Sequence, residues 1–198
     1  CKILEIGVGL GTTLKILTTM GYQCHGISPD AEQINYIQEH WNDSAPVSCQ
    51  SLEDFFAEHN SFDVILFQES AQYIDPLVIF NKALDYLKTS GSLLILDEVA
   101  LNFSGNEFEN LHLLSDILTL AKRFDFALID HQDLSNLAAP TLDYLLKITH
   151  KHRDQLINDL SLSFESLNQL DVSNATYREK YLSGHYGYAL LHFKKQSI

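Results

Sequence analysis

Short runs of apolar residues alternate along the chain with longer stretches in which apolar residues recur at helical spacing. The short runs predict buried strands, and the helical spacing predicts amphipathic helices. The predicted strands lie near residues 2–6, 22–27, 46–50, 62–68, 91–97, 125–131 and 186–193. The predicted helices lie near residues 11–20, 30–41, 52–59, 76–88 and 107–123. This alternation indicates an α/β fold with a mainly parallel sheet covered by helices on both faces.

One long segment, residues 132–184, interrupts the alternation. Leucines after Pro140 recur at helical spacing, so the segment is predicted to be largely helical. No Pro/Gly-rich linker or internal repeat separates it from the rest. We therefore expect a single domain, 1–198, with 132–184 as a helical cap inserted before the last strand. The chain starts at Cys1, directly on the first strand and without a methionine, so we expect residues to precede it.

Composition restricts the classes of partner. The 26 acidic and 13 basic side chains give a formal net charge of −13, which repels phosphate backbones and anionic lipids. Nucleic acid is therefore not expected as a partner, and neither is stable membrane association, since no apolar run approaches about 18 residues. The three cysteines and the pair His150 and His152 lack metal-ligand spacing, so no metal site is expected. Reduced cysteines and the absence of a signal peptide favour the cytoplasm, while the oligomeric state stays open.

Three alternating glycines, Gly7, Gly9 and Gly11, join the first predicted strand to the first predicted helix. Such a loop permits close approach of the backbone to a nucleotide-type cofactor. The dinucleotide fingerprint requires a further glycine where this chain has Thr12, and an acid at the end of the second strand, where it has Ser28. The acid lies instead at Glu5, two residues before the first glycine.

The pattern Glu5-x-Gly7-x-Gly9-x-Gly11 resembles motif I of the class I S-adenosylmethionine-dependent methyltransferases. The resemblance covers about residues 2–100 and the final strand. It implies a Rossmann-like, doubly wound, mainly parallel seven-stranded sheet with an antiparallel last strand. It also implies S-adenosylmethionine as the cofactor.

The resemblance further implies a set of cofactor-binding residues. Ser28 and Gln33 match the cyclopropane-fatty-acid-synthase and tocopherol-type enzymes, in which a hydroxyl and an amide replace the ribose-binding acid. Ser51 and Leu52 would contact the adenine, although a helix N-cap explains Ser51 equally well. The implied cofactor-binding residues are Glu5, Gly7, Gly9, Gly11, Thr12, Ser28, Gln33, Ser51, Leu52 and Gln68.

Three residues are candidates for a general base. Glu69 belongs to a Glu-Ser pair that is similar to one in tocopherol-type and sugar methyltransferases. Asp97 follows the fifth strand, at the edge where open α/β sheets bind ligands, although a solvated surface acid is the alternative. His185 is a candidate because an imidazole titrates close to neutral pH. Aromatic residues of the cap would roof an acceptor pocket or simply pack there: Tyr144, Phe164, Tyr177, Tyr181 and Tyr186.

The sequence therefore predicts a methyltransferase that acts on a small-molecule acceptor at carbon or oxygen. A base is needed only if the acceptor must lose a proton near the transition state. Two alternatives remain: an NAD(P)-binding oxidoreductase, which Thr12 and Ser28 disfavour, and a catalytically silent S-adenosylmethionine-binding module.

Overall fold

The computed structural model describes residues 1–41, 46–102 and 111–196. Its strands are β1 (Lys2–Ile6), β2 (Gln23–Ser28), β3 (Val47–Cys49), β4 (Phe62–Gln68), β5 (Leu87–Ala100), β6 (Phe126–Asp133) and β7 (Tyr186–Lys195). Its helices are α1 (Thr12–Thr19), α2 (Ala31–His40), α3 (Pro76–Tyr86), α4 (Leu114–Arg123), α5 (Ser135–Lys151), α6 (Arg153–Leu160) and α7 (Phe164–Leu182). No helix in these ranges has the length and apolar character needed to cross a membrane.

The strands form one seven-stranded sheet in the order β3-β2-β1-β4-β5-β7-β6. The first five strands in this order, β3, β2, β1, β4 and β5, are parallel to one another. Strand β7 lies between β5 and β6 and is antiparallel to both. This arrangement confirms the predicted doubly wound fold with an antiparallel last strand. The strand order reverses between β1 and β4, and open α/β sheets bind ligands beyond the carboxyl ends of strands at such a point.

The centre of the core is a group of phenylalanines on one face of the sheet. Phe80 of α3 is 1% exposed, and its ring lies 5.7–6.1 Å from those of Phe124, Phe126 and Phe193. These rings come from α3, the end of α4, β6 and β7. They therefore hold strands β6 and β7 together with helices α3 and α4.

The predicted helix at 52–59 is wrong. The chain makes one turn instead, in which the Ser51 hydroxyl accepts a hydrogen bond from the Asp54 amide at 3.2 Å. A helix cannot continue because the Phe55 carbonyl accepts from the Lys82 ammonium at 2.8 Å and the Tyr86 hydroxyl at 2.7 Å. These bonds take the place of the helical hydrogen bond to that carbonyl.

Two further boundaries differ from the prediction. Helix α4 begins at Leu114 rather than near 107, because Leu113 bridges to Ala100 beside the sheet; residues 103–110 lie outside the described residues. Strand β5 begins at Leu87 rather than 91, with a register shift opposite Phe62 and Val64. The predicted glycine turn before β5 is thus part of an irregular strand.

Three helices, α5 to α7, connect β6 to β7. The Leu134 amide before α5 donates to the Tyr188 carbonyl at 2.7 Å, and the Tyr188 amide donates to the Ser135 hydroxyl at 3.0 Å. These bonds attach the start of the helical segment to the first residues of β7.

We expect Phe80→Ala to lower the free energy of unfolding by about 3–5 kcal/mol, because it leaves a cavity among the packed rings. Phe56→Ala removes the same atoms from a side chain that is 83% exposed, and it serves as the matched control. Urea unfolding of both variants measures the difference. Equal losses of stability would contradict this description of the core.

Candidate functional site

The glycine loop between β1 and α1 is tightly packed at its first glycine and open at its second. A Cβ atom on Gly7 would lie 2.4 Å from the Ser70 Cβ atom, so no side chain fits there. Gly9 has a φ of +53° and no atom within 4 Å of the position of a Cβ atom. The loop thus contacts the end of β4 at Gly7 and presents bare backbone at Gly9.

Glu5 lies beneath this loop on β1. Its side chain is 3% exposed, and its Oε2 atom has no hydrogen-bond partner among the described residues. Burial raises the pKa of Glu5 from 4.5 to about 7. An acid in this position fits a bound group that would supply a hydrogen-bond donor or a positive charge.

A cavity of about 580 Å³, the glycine-loop cavity, opens at the carboxyl ends of β1, β2 and β4. Seven of the predicted cofactor-binding residues line it: Gly7, Gly9, Ser28, Gln33, Ser51, Leu52 and Gln68. The other three, Glu5, Gly11 and Thr12, do not. Thr13, rather than Thr12, reaches this region, since its hydroxyl donates to Gln68 Oε1 at 3.0 Å.

Ser28 and Gln33 are directly paired at the end of β2. The Ser28 hydroxyl donates to Gln33 Oε1 at 2.9 Å and accepts from the Asp30 amide at 3.2 Å. Asp30 in turn caps α2 by accepting from the amides of Glu32 and Gln33. Asp30 and Gln50 also line the cavity and were not predicted as site residues, although Gln50 is the last residue of a predicted strand.

A second cavity, the tyrosine cavity, has a volume of about 630 Å³ and lies between the sheet edge and helices α5 and α7. Its lining combines two glutamates, four tyrosines and several apolar residues of α5. The residues are Glu69, Gln72, Tyr73, Glu98, Leu134, Leu137, Ala138, Thr141, Leu142, Leu145, Ser173, Asn174, Tyr177, Tyr181 and Tyr188. Glu69 and Tyr73 line both cavities, so these two residues form a shared wall.

Each glutamate of the tyrosine cavity accepts a hydrogen bond from a tyrosine. The Tyr188 hydroxyl donates to Glu69 Oε1 at 2.6 Å, and the Tyr181 hydroxyl donates to Glu98 Oε1 at 2.9 Å. Burial and the adjacent carboxylates raise the pKa of both phenols well above the ordinary value, so both stay protonated. Burial also raises the pKa of Glu98, as does repulsion from Asp97 and Glu69.

Asp97 lines neither of these cavities and holds the loop after β4 in place. Its carboxylate accepts from the amides of Ala71 at 2.6 Å, Gln72 at 3.2 Å and Glu98 at 2.8 Å, and from Gln72 Nε2 at 3.0 Å. Burial raises the pKa of Asp97, and these hydrogen bonds oppose the rise. With four donors around it, Asp97 acts as a positioning residue for the segment that carries Glu69.

His185 is likewise absent from the residues that line the two cavities. Its Nδ1 atom lies 2.8 Å from the Ser183 hydroxyl at the end of α7. Of the three predicted catalytic residues, the structure thus brings only Glu69 to the cavities. Glu98 and Tyr188 were not predicted as site residues, although Glu98 directly follows the candidate Asp97 and Tyr188 lies in the last predicted strand.

Of the five aromatic residues predicted to roof an acceptor pocket, only some line the tyrosine cavity. Tyr177 and Tyr181 line the tyrosine cavity. Tyr186 is buried and packs against both rings, with centroids 5.3 and 6.5 Å away. Tyr144 and Phe164 are 61% and 63% exposed and do not line it. Within the ranges that the structure describes, His, Cys, Asp and Glu side chains form no cluster suited to a metal ion.

The buried Glu5 carboxyl makes stability depend on pH. Because its pKa is raised in the folded state, the contribution of Glu5 to the unfolding free energy is most favourable at low pH and falls as the pH rises from about 4.5 to about 7, by about 3 kcal/mol at most. We expect Glu5→Gln to remove this part of the pH dependence, while the exposed Glu39→Gln retains it. Urea unfolding at pH values across this range measures both. Identical profiles for the two variants would contradict the assignment.

Comparisons with known proteins agree with this geometry. Residues 4–95 match the family described as "Methyltransferase domain". No curated protein matches the chain by sequence. Many solved structures share its fold, and three of them, at 16–18% identity, are described below.

The cyclopropane synthase MmaA2 from Mycobacterium tuberculosis has 16% identity and a TM-score of 0.85 over 98% of this chain and 78% of its own. Phosphoethanolamine N-methyltransferase 2 from Haemonchus contortus has 18% identity and a TM-score of 0.83 over 99% of this chain and 49% of its own. It was solved with phosphomonomethylethanolamine and S-adenosylhomocysteine. The [4+2]-cyclase SpnF has 18% identity and a TM-score of 0.82 over 100% of this chain and 76% of its own.

The structural matches confirm the predicted fold, and the domain match over residues 4–95 confirms the resemblance inferred from the glycine loop. Residues 4–95 of the chain thus resemble a methyltransferase domain, within a fold that the chain shares with the cyclopropane synthase MmaA2.

Proposed function

We propose that the protein transfers a methyl group from S-adenosylmethionine to a small-molecule acceptor at carbon or oxygen. One observation carries the proposal: the glycine-loop cavity and the tyrosine cavity share a wall formed by Glu69 and Tyr73. A cofactor in the first and an acceptor in the second would meet there. Contact between the two reactants is the main requirement of a displacement reaction.

The glycine-loop cavity offers groups suited to each part of the cofactor. Bare backbone at Gly9 allows close approach, and the hydroxyl of Ser28 and the amide of Gln33 are candidates for the ribose hydroxyls. Ser51 and Leu52 are candidates for the adenine, and Gln68 for the methionine part. Beneath the loop, the Glu5 Oε2 atom has no hydrogen-bond partner among the described residues, which supports the presence of a bound cofactor that carries hydrogen-bond donors.

When bound, S-adenosylmethionine would supply an activated methyl group to the acceptor's electron pair and would keep the electron pair of the broken carbon–sulfur bond on its sulfur. The Glu69 carboxylate, at the shared wall, takes the proton that a hydroxyl or an acidic carbon loses. Tyr188 holds this carboxylate by its 2.6 Å hydrogen bond, and Asp97 fixes the loop that carries it.

The cytosol is the compartment that we propose, supported by three cysteines that form no disulfide: Cys1, Cys24 and Cys49. The strongly negative net charge supports a small molecule rather than nucleic acid as the partner.

Calorimetric titration is expected to show micromolar binding of S-adenosylhomocysteine and none of NADH. Gly9→Ala places a methyl group in the glycine-loop cavity and is expected to weaken this binding about tenfold or more. Gly21→Ala is the matched control, since Gly21 also has positive φ and open space but lies outside the cavity. Both variants lose about 1–2 kcal/mol of stability through backbone strain. Preference for NADH, or equal binding by both variants, would overturn the cofactor assignment.

Turnover distinguishes an enzyme from a silent module. We expect release of S-adenosylhomocysteine when the protein is incubated with S-adenosylmethionine and a panel of phenolic, lipidic and polyketide-like acceptors. Glu69→Gln retains the shape of the side chain but cannot accept a proton, so it is expected to lower the rate about 100-fold or more. Tight cofactor binding without turnover on any acceptor would favour a silent module.

A further inference from the structure

We propose that the acceptor binds as a cationic amine, with its ammonium group against Glu98 and the tyrosines of the tyrosine cavity and its apolar body against α5. This inference rests on the proposed function, because it assigns a substrate class to the same cavity. It adds a recognition role for Glu98 that is separate from the role of Glu69 at the shared wall.

Uncompensated negative charge is the first support. Glu69 and Glu98 both line the tyrosine cavity, and none of its described lining residues is Lys, Arg or His. Their only side-chain hydrogen bonds in the described structure come from the neutral phenols Tyr188 and Tyr181. Glu69 is exposed, whereas Glu98 is half-buried. A carboxylate that is partly removed from water, as Glu98 is, is costly unless a positive charge or several donors compensate it. An ammonium ion supplies both.

The tyrosines are the second support. Tyr73, Tyr177, Tyr181 and Tyr188 all line the cavity. Aromatic rings attract ammonium groups through the negative potential of their faces, and the attraction strengthens where water is excluded. The same lining would repel an anionic acceptor such as a carboxylate or a phosphate, since its described residues offer two negative side chains and no cation.

The arrangement of the lining gives the acceptor an orientation. Of these two cavities, Glu98 lines the tyrosine cavity alone, whereas Glu69 also faces the glycine-loop cavity. The leucines Leu134, Leu137, Leu142 and Leu145 supply an apolar surface. An acceptor with a cationic end at Glu98 therefore places a different atom, a hydroxyl or an acidic carbon, at the shared wall beside Glu69.

Tyramine and para-propylphenol provide a matched pair of probes, since they differ only in an ammonium group that replaces a methyl group. Each is titrated by calorimetry into protein saturated with S-adenosylhomocysteine. We expect tyramine to bind about tenfold tighter than para-propylphenol, although the latter is the more hydrophobic. Glu98→Gln is expected to weaken tyramine binding about tenfold and to leave para-propylphenol binding unchanged.

The control variant is Glu39→Gln, which makes the same change of charge on the exposed face of α2. It is expected to leave the binding of both probes unchanged, and binding of S-adenosylhomocysteine by each variant verifies that its fold is intact. Equal or tighter binding of para-propylphenol by the unmodified protein, or no binding of tyramine, would overturn the inference while cofactor binding still supports the proposed function. Failure of the unmodified protein to bind S-adenosylhomocysteine would overturn the proposed function itself.

Discussion

The close contact between Gly7 and Ser70 determines how the two cavities meet. The Ser70 hydroxyl donates to the Ile6 carbonyl at 2.6 Å, and the missing side chain at Gly7 leaves room for the Ser70 Cβ atom. On the other side, Asp97 accepts hydrogen bonds from the backbone of Ala71 and Gln72. The loop after β4 is thus fixed by the strands on both of its sides. Glu69 lies within this fixed segment and has a φ of +56°, a strained conformation that the surrounding bonds maintain.

Much of the cofactor side could be predicted because it depends on chain order alone. In a parallel sheet, the loops after consecutive strands meet at one edge, so residues that follow β1, β2 and β4 must come together there. Gly9, Ser28 and Gln68 follow this rule and line one cavity. Thr12 does not, because the turn at the start of α1 directs the neighbouring Thr13 toward Gln68.

The tyrosine cavity was harder to predict because its lining depends on the side of the sheet to which each residue points. Asp97 and Glu98 are adjacent, and successive side chains of a strand face opposite sides. Asp97 shares the face of Leu93 and Ile95 beneath α3 and α4, whereas Glu98 faces Tyr181 of α7. The sequence contains no signal that separates these two acids until the packing of helices is known. The helix predicted at 52–59 failed for a similar reason, since its decisive bonds come from the distant Lys82 and Tyr86.

The position of β7 in the sheet affects the order in which the site can assemble. This strand is the last of the sheet in chain order, yet it lies between β5 and β6 and carries Tyr188, the partner of Glu69. Contacts between residues so distant in sequence form late, because closing a long segment of chain is entropically costly. A growing chain could therefore complete its glycine loop early, but the carboxylate at the shared wall would lack its partner until β7 is inserted. The glycine loop would then be in place before the tyrosine cavity is complete.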